Sequence, residues 1–236
     1  MVLYISNSVG SYTKCKRGDT VEAKMKAQKL TSETQVKANR RTGGKEYRLV
    51  KRLCDIIFAV VTGVILLIPM IVIGLLVKLD SKGPAIYAQE RLGANGKPFV
   101  MYKFRSMRTD AEDDGPQWAQ KDDERCTKFG KFLRKTRLDE LPQIINILQG
   151  NMSLVGPRPE RAFFYDEFEK YIPNFRQRLQ VKPGLTGLAQ VNGGYDLMPE
   201  EKLVYDLEYI ENCSLWMDIV CMVKTVRLIF THEGAR

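Results

Sequence analysis

The sequence predicts an α+β protein with one membrane-embedded segment, and three observations support this class. Residues 56–77 form an uncharged apolar run. Two short stretches of strand-forming residues come after it, separated by a Gly-rich turn. Apolar residues at helical spacing then recur through the second half of the chain, which indicates amphipathic helices. With 28% charged and 44% hydrophobic residues, the composition excludes a polytopic transporter and a disordered tail protein.

The positive charge of the chain is confined to its N-terminal part. Residues 1–52 hold 13 Lys and Arg against 4 Asp and Glu, whereas the rest of the chain holds 24 of each and is neutral. Residues 1–50 are therefore predicted to form a basic, mostly flexible arm. Because this arm adjoins a membrane segment, attraction to anionic membrane lipid explains its charge better than nucleic-acid binding does.

The number and spacing of the cysteines and histidines limit the kinds of catalytic and metal site that the chain can form. The five cysteines form no Cys-x-x-Cys pair, and we find no cleavable signal peptide, so reduced thiols in a cytosol-facing protein are expected. The single histidine is His232. These features argue against histidine-based triads, His-rich metal sites and histidine general bases.

Residues 51–80 are predicted to form a membrane-embedded helix that is broken at Pro69. The 22 uncharged positions within it would rise about 33 Å as a straight helix, enough to cross a hydrocarbon core of about 30 Å. A spanning helix tolerates the kink that proline introduces. Basic residues flank both ends, however, so the positive-inside rule places both ends in the cytoplasm, as in a re-entrant hairpin. The residues alone leave both arrangements open.

Residues 81–236 are predicted to form the body of the protein. Residues 85–89 and 99–104 have the character of two strands. The pair Asn95-Gly96 between them suits a tight turn, so a small antiparallel hairpin is expected.

The C-terminal half is predicted to be mainly helical. Aromatic residues at helical spacing between positions 164 and 175 fit either a core stripe or an interfacial face. Residues 189–194 are predicted to form a short strand and turn, and residues 200–212 a helix. A final helix is predicted to present one apolar face, formed by Trp216, Ile219, Val223, Val226 and Phe230.

Two adjacent carboxylates, Asp139 and Glu140, are the main candidates for chemistry. Residues 141–148 carry apolar side chains at helical spacing, so the pair lies at a predicted helix start, where the helix dipole favours ionised carboxylates. Acidic residues are common caps there, and that explanation stands beside catalysis. Arg134 precedes the pair, and Arg158 lies between two prolines, which suits the presentation of guanidinium groups to a phosphate.

Four motifs, taken in order, resemble the monotopic phosphoglycosyl transferases, bacterial sugar transferases that begin glycan assembly on a polyprenol phosphate carrier. The resemblance covers residues 48–231. The motifs are Tyr102-Lys103-Phe104-Arg105-Ser106-Met107, Arg134-Lys135-Thr136-Arg137-Leu138-Asp139-Glu140-Leu141-Pro142-Gln143, Ser153-Leu154-Val155-Gly156-Pro157-Arg158-Pro159 and Pro183-Gly184-Leu185-Thr186-Gly187. Each motif is short, but their combination in this order and spacing is highly specific.

The resemblance implies a re-entrant helix, a site on the cytoplasmic face of the bacterial inner membrane, Mg²⁺, a UDP-sugar donor and undecaprenyl phosphate as acceptor. It also implies that Asp139 attacks the sugar-bearing phosphate, giving an aspartyl phosphosugar and releasing UMP. Glu140 is expected to assist metal binding or proton handling, and both carboxylates are candidate metal ligands. Arg158 and Arg134 match phosphate-binding positions of the family, and Lys103 is a further candidate.

The chain departs from the family pattern at two places. The Ser-Pro kink of many members is Ile68-Pro69 here, which weakens the re-entrant assignment. Asn-Gly-Arg is replaced by Asn192-Gly193-Gly194, so no arginine is carried over to that position.

Two alternatives stay open. One is a catalytically inactive membrane-anchored adaptor of the same fold. The other is a glycosyltransferase that moves only the sugar, although we find no Asp-x-Asp motif in a nucleotide-binding domain to support it. The sequence does not name the sugar, for which a glucose- or galactose-type donor is preferred, and a homo-oligomer is compatible with it.

Overall fold

The computed structural model describes residues 44–113, 115, 117 and 123–231, so most of the predicted basic arm lies outside the described residues. The elements follow the chain as α1 (Lys45–Ile65), α2 (Leu67–Asp80), β1 (Ile86–Leu92), β2 (Pro98–Phe104), α3 (Lys128–Thr136), α4 (Gln143–Gln149), β3 (Ser153–Val155), α5 (Ala162–Glu169), β4 (Gly184–Thr186), α6 (Leu188–Val191), α7 (Pro199–Asn212) and α8 (Leu215–Thr231). The predicted mixture of helices and small sheets is confirmed. Helix α1 begins at Lys45, so residues 45–50, assigned above to the arm, are helical.

Helices α1 and α2 form a bent pair with an angle of 64° between them. The break predicted at Pro69 lies three residues earlier, at Leu66, where φ is −93° and ψ is 6°. In a continuous helix, Pro69 would offer no N–H to the carbonyl of Ile65, and its ring would clash with that carbonyl. The first helix therefore ends at Ile65, and Leu66 leaves the helical conformation. Pro69 then lies in the first turn of α2, where backbone N–H groups have no helical partner to lose.

Within the described ranges, none of the helices is by itself long and apolar enough to cross a bilayer. The bent pair meets that criterion when its two helices are taken together. Many of its apolar side chains are exposed, among them Ile68 and Leu79, which are 73% and 83% exposed. The apolar face predicted for α8 is also exposed, with Trp216 at 73% and Phe230 at 79%. Apolar surfaces of this extent mark contact with a membrane or another protein.

The first half of α1 is joined to the body of the protein by polar contacts. The carboxylate of Asp55 is buried and accepts hydrogen bonds from Ser153 Oγ at 3.1 Å and from the Leu154 N–H at 2.9 Å. Arg52 donates to the carbonyls of Ile147 at 2.6 Å and Leu148 at 2.9 Å. These are two of the last carbonyls of α4, and that of Ile147 also accepts from the Gly150 N–H at 3.0 Å.

Strands β1 and β2 form the predicted antiparallel hairpin, in which Tyr87 lies opposite Lys103. Asn95 and Gly96 both adopt positive φ in the turn, 57° and 72°, as expected for an Asn-Gly pair. The buried side chain of Asn146 on α4 accepts from the Tyr102 N–H at 3.0 Å and donates to the Val100 carbonyl at 2.7 Å. This clamp fixes β2, and with it Lys103, against α4.

A second, parallel sheet pairs β3 with β4 and was not predicted. The strand predicted for residues 189–194 is wrong, because Leu188–Val191 forms a short helix, α6. The aromatic stripe is mainly core, since Phe164, Phe168 and Phe175 are buried and only Tyr171 is exposed. The helix predicted for residues 200–212 is confirmed as α7.

Candidate active site

The two candidate carboxylates lie in a single 3₁₀ turn, Leu138–Glu140, between α3 and α4. The sequence predicted them at the start of the helix over residues 141–148, but α4 begins only at Gln143. The turn is entered through Arg137, which adopts a left-handed conformation with φ of 58°. Asp139 and Glu140 are each 8% exposed, so this turn buries two neighbouring acids instead of presenting them to solvent as caps.

Glu140 is held by two of the predicted cations. Its Oε1 lies 2.5 Å from Arg158 Nη2 and 3.4 Å from Lys103 Nζ, and its Oε2 lies 3.4 Å from Arg158 Nη1. Burial disfavours the charged form, but Arg158 and Lys103 outweigh it and hold the pKa of Glu140 well below its ordinary value. A carboxylate with such a pKa stays ionised and is a poor proton carrier near pH 7.

Asp139 differs sharply from its neighbour. It makes no hydrogen bond and no ion pair with any residue that the structure describes. Burial raises the pKa of Asp139 from 3.8 to about 6, Lys103 opposes that shift, and the charge of Glu140 adds to it. At pH 7 most of the carboxylate is ionised, and none of the described residues engages its oxygens.

Arg158 reaches Glu140 because its loop is fixed from several directions. The Pro157 carbonyl accepts from the Gly184 N–H at 3.0 Å, and the Arg158 carbonyl accepts from Arg178 Nη2 at 3.1 Å. Gly156 lets the loop pack closely, since a Cβ there would lie 2.4 Å from the Lys182 carbonyl oxygen. The flanking prolines restrict the backbone further, so the guanidinium is presented by a rigid loop.

A cavity of about 470 Å³ opens beside Asp139. Among the described residues that line it, eleven are Lys or Arg and three are Asp or Glu. The lining includes Lys103, Arg134 and Arg158 as well as Asp139, and Arg134 also donates to Cys126 Sγ at 3.0 Å. The predicted site residues therefore come together around one cavity whose charge suits a polyanion such as a diphosphate.

Among the described residues of the cavity wall, seven arginines were not predicted as site residues: Arg91, Arg105, Arg108, Arg125, Arg137, Arg161 and Arg178. Arg137 could have been found, because it stands in the same basic run as Arg134. Arg105 donates to the carbonyls of Val77, Ser81 and Lys82 and so links the end of α2 to the cavity wall. Nothing in the local sequence indicates that long-range contact.

A metal site built from protein groups alone does not occur in the described part of the chain. No group of three or more His, Cys, Asp or Glu side chains lies close enough together to hold an ion. Asp139 and Glu140 are adjacent oxygen donors, and Mg²⁺ is often held by one or two carboxylates with substrate phosphates and water as its other ligands. The donor set therefore fits Mg²⁺ bound together with a phosphorylated substrate, and Asp139 is the carboxylate of the two that no described residue engages.

Comparison with known families decides the assignment. A sequence model of the bacterial sugar transferase domain matches residues 46–232. The chain belongs to the bacterial sugar transferase family. The match includes the bent helix pair, the turn with Asp139 and Glu140, and the loop with Arg158, so the cavity described above lies within the family domain.

Several relatives of this bacterial sugar transferase have been named for their activity. An Aeromonas hydrophila protein named UDP-N-acetylgalactosamine-undecaprenyl-phosphate N-acetylgalactosaminephosphotransferase is 44% identical over 193 residues, which are 80% of this chain and 46% of the relative. An Escherichia coli (strain K12) protein named UDP-glucose:undecaprenyl-phosphate glucose-1-phosphate transferase is 44% identical over 195 residues, 80% of this chain and 42% of the relative.

A Caulobacter vibrioides protein carries the same name as the E. coli relative. It is 39% identical over 195 residues, which are 79% of this chain and 72% of the relative. The chain thus spans less than half the length of the first two relatives and most of the length of the third.

Proposed function

We propose that this protein transfers a sugar 1-phosphate from a UDP-sugar to undecaprenyl phosphate and releases UMP. The observation that carries the proposal is a buried carboxylate, Asp139, whose oxygens no described residue engages. It lies beside a cavity in whose described lining Lys and Arg outnumber Asp and Glu. The relatives are named as undecaprenyl-phosphate sugar phosphotransferases, which fits this chemistry.

In the proposed first step, an oxygen of ionised Asp139 attacks the phosphorus that bears the sugar. The new bond joins Asp139 to that phosphorus, the bond to the uridylyl phosphate oxygen breaks, and UMP leaves with the electron pair. In the second step, a phosphate oxygen of undecaprenyl phosphate attacks the same phosphorus. The carboxylate of Asp139 leaves unchanged, and the product is undecaprenyl diphosphate sugar.

The cations have separate parts in this scheme. Arg158 and Lys103 already hold Glu140, which keeps them fixed at the edge of the cavity beside Asp139. Arg134 lines the same cavity and is placed to meet phosphoryl oxygens. A set of fixed cations stabilises the charge that develops on the phosphoryl group without having to rearrange during the reaction.

Mg²⁺ is part of the proposal, held by Asp139 or Glu140 together with the diphosphate of the donor. When bound, the ion would neutralise diphosphate charge and favour departure of UMP. The ion-paired state of Glu140 makes Asp139 the more accessible of the two donors.

We further propose that the bent helix pair enters the membrane from the cytoplasmic face of the bacterial inner membrane and returns to it. The exposed apolar side chains of the pair and of α8 would contact lipid. The polar contacts of α1 with β3 and α4 keep the start of the pair next to the body. This placement would bring the cavity to the surface where undecaprenyl phosphate presents its phosphate.

The test is nucleotide release by the full chain in nanodiscs that contain undecaprenyl phosphate, with Mg²⁺ and UDP-linked glucose, galactose and their N-acetylated forms. We expect UMP with at least one donor, with a glucose- or galactose-type sugar as the preferred class, and no UMP from Asp139→Asn. Release of UDP would instead show plain sugar transfer. Absence of both nucleotides across the panel would favour the inactive adaptor.

A further inference from the structure

Behind the Arg158 loop lies an ion pair that the proposed chemistry does not use. Arg178 Nη2 lies 2.6 Å from Asp206 Oδ2, and the two side chains are 1% and 2% exposed. Arg178 comes from the 3₁₀ turn Phe175–Gln180, and Asp206 from the middle of α7. Its burial leaves the guanidinium almost no surface with which to touch a substrate in the cavity.

The Arg178 guanidinium also contacts the loop that carries Arg158, a residue of the candidate site. Its Nη2 donates to the main-chain carbonyl of Arg158 at 3.1 Å. Its plane is packed by aromatic rings, with the Phe175 centroid at 4.9 Å and the Tyr165 centroid at 5.8 Å. Asp206 and the two rings therefore fix one guanidinium, and that guanidinium fixes the backbone of Arg158.

Stability alone is a weak reason for such a pair. Removing two charges from water is costly, and replacing a buried ion pair with well-packed apolar residues is often neutral or stabilising. We propose that Arg178 and Asp206 are positioning residues, which hold the Arg158 backbone so that its guanidinium meets Glu140 and the phosphate beside Asp139. The inference rests on the proposed function, because the effect of misplacing Arg158 is measured as sugar-phosphate transfer.

The principal test is the double variant Arg178→Met/Asp206→Leu, which removes both charges and keeps the site filled. We expect a folded protein with a melting temperature equal to or above that of the wild type. We also expect kcat/KM for UMP release to fall about 100-fold, as for a displacement of roughly 1 Å at a reacting centre. The matched control is Arg176→Gln/Asp166→Asn, an exposed ion pair that begins on the same 3₁₀ turn, and its kcat/KM should stay at the wild-type value.

A double-mutant cycle with Arg158→Lys separates positioning from general damage. If the buried pair acts through Arg158, its removal should cost little more activity once Arg158 has been replaced. Additive losses in the cycle, or wild-type kcat/KM in the double variant, would overturn the inference. If the double variant fails to fold, Arg178→Lys gives the same test, because an ammonium keeps the charge but lacks the planar guanidinium that packs against Phe175 and Tyr165. Lack of UMP release by the wild type would contradict the proposed function instead, so the two failures are distinct.

Discussion

The two neighbouring acids of the Leu138–Glu140 turn are both buried, yet their pKa values are shifted in opposite directions. Glu140 contacts Arg158 and Lys103, and its pKa is lowered; Asp139 makes no such contact, and burial raises its pKa to about 6. The exposed fractions of the two residues are equal, so burial alone does not explain the difference. The ion pairs of Glu140 with Arg158 and Lys103 account for the difference in pKa. Asp139 has no such ion pair with these two cations, so its oxygens stay available for a substrate.

Asp139→Asn should cause the largest loss of activity among these variants, and it should increase the stability of the fold. Loss of the proposed nucleophile should lower UMP release by at least about 10⁴-fold, as for other nucleophile replacements. Removal of a buried charge should raise the free energy of unfolding by about 1 to 3 kcal/mol at pH 7.5. Nucleotide release and urea unfolding measure the two effects.

The stability gain should depend on pH in a defined way. Above pH 6 Asp139 is charged in both the folded and the unfolded state, so the folded state carries the full cost of the buried charge. As the pH falls from about 6 to 4, the folded protein takes up a proton at Asp139 and the advantage of the Asn variant disappears. A gain that is constant from pH 8 to pH 4 would contradict the raised pKa.

Glu140→Gln should lower both activity and stability. Without the carboxylate charge, Arg158 and Lys103 lose their fixed positions, and we expect UMP release to fall about 10²-fold to 10³-fold. Breaking the buried pair should destabilise the fold by about 2 to 4 kcal/mol.

Asp218→Asn is the matched control for Glu140→Gln, because Asp218 forms a buried ion pair with Lys51 outside the cavity. It should lower stability to a similar degree and leave most of the activity. Equal losses of activity in the two variants would show that Glu140 acts through the fold alone.

Lys103→Met should give a smaller loss of activity. Its contact with Glu140 is 3.4 Å, longer than that of Arg158. A charge-assisted contact of roughly 1.5 to 2 kcal/mol corresponds to a loss of kcat/KM of about 10-fold to 30-fold. Lys97→Met, an exposed residue in the turn of the same hairpin, is the control and should retain full activity. The same loss in both variants would remove Lys103 from the site.

The smallest effect we predict is a shift in the pH profile. Because the proposed attack requires ionised Asp139, kcat/KM should fall as the pH decreases through about 6. Lys103 lowers the pKa of Asp139, so in Lys103→Met the acid limb should move to higher pH. A limb that stays in place, or moves to lower pH, would assign that titration to another group.

Features set by neighbouring residues were predictable from the sequence. The apolar run predicted the membrane-embedded helix segment, Asn95-Gly96 predicted the hairpin turn, and the basic run before Asp139 indicated the candidate site. The position of the helix break was harder to predict, because proline disturbs the carbonyl four residues earlier. The helix is therefore interrupted at Leu66 and not at Pro69 itself.

Contacts between distant residues were not predictable from the sequence. The strands β3 and β4 have three residues each, too few for any periodicity, and their pairing brings together positions 31 residues apart. Nothing in the sequence around Arg178 and Asp206 indicates their pairing, because only the folded structure brings them together in the core behind Arg158. The predicted helix start at the carboxylates failed for a similar reason, since Arg137 enters a separate turn through a left-handed conformation.

The contacts of α1 have a consequence for engineering this protein. The Leu154 N–H and the last carbonyls of α4 find their partners in Asp55 and Arg52, which belong to the first helix of the bent pair. The first helix of the pair is thus part of the folded body, and we expect that exchanging the pair for an unrelated apolar segment would destabilise that body. A truncation that starts after Asp80 would leave the Leu154 N–H and the Leu148 carbonyl without these partners, and we expect it to aggregate even in detergent.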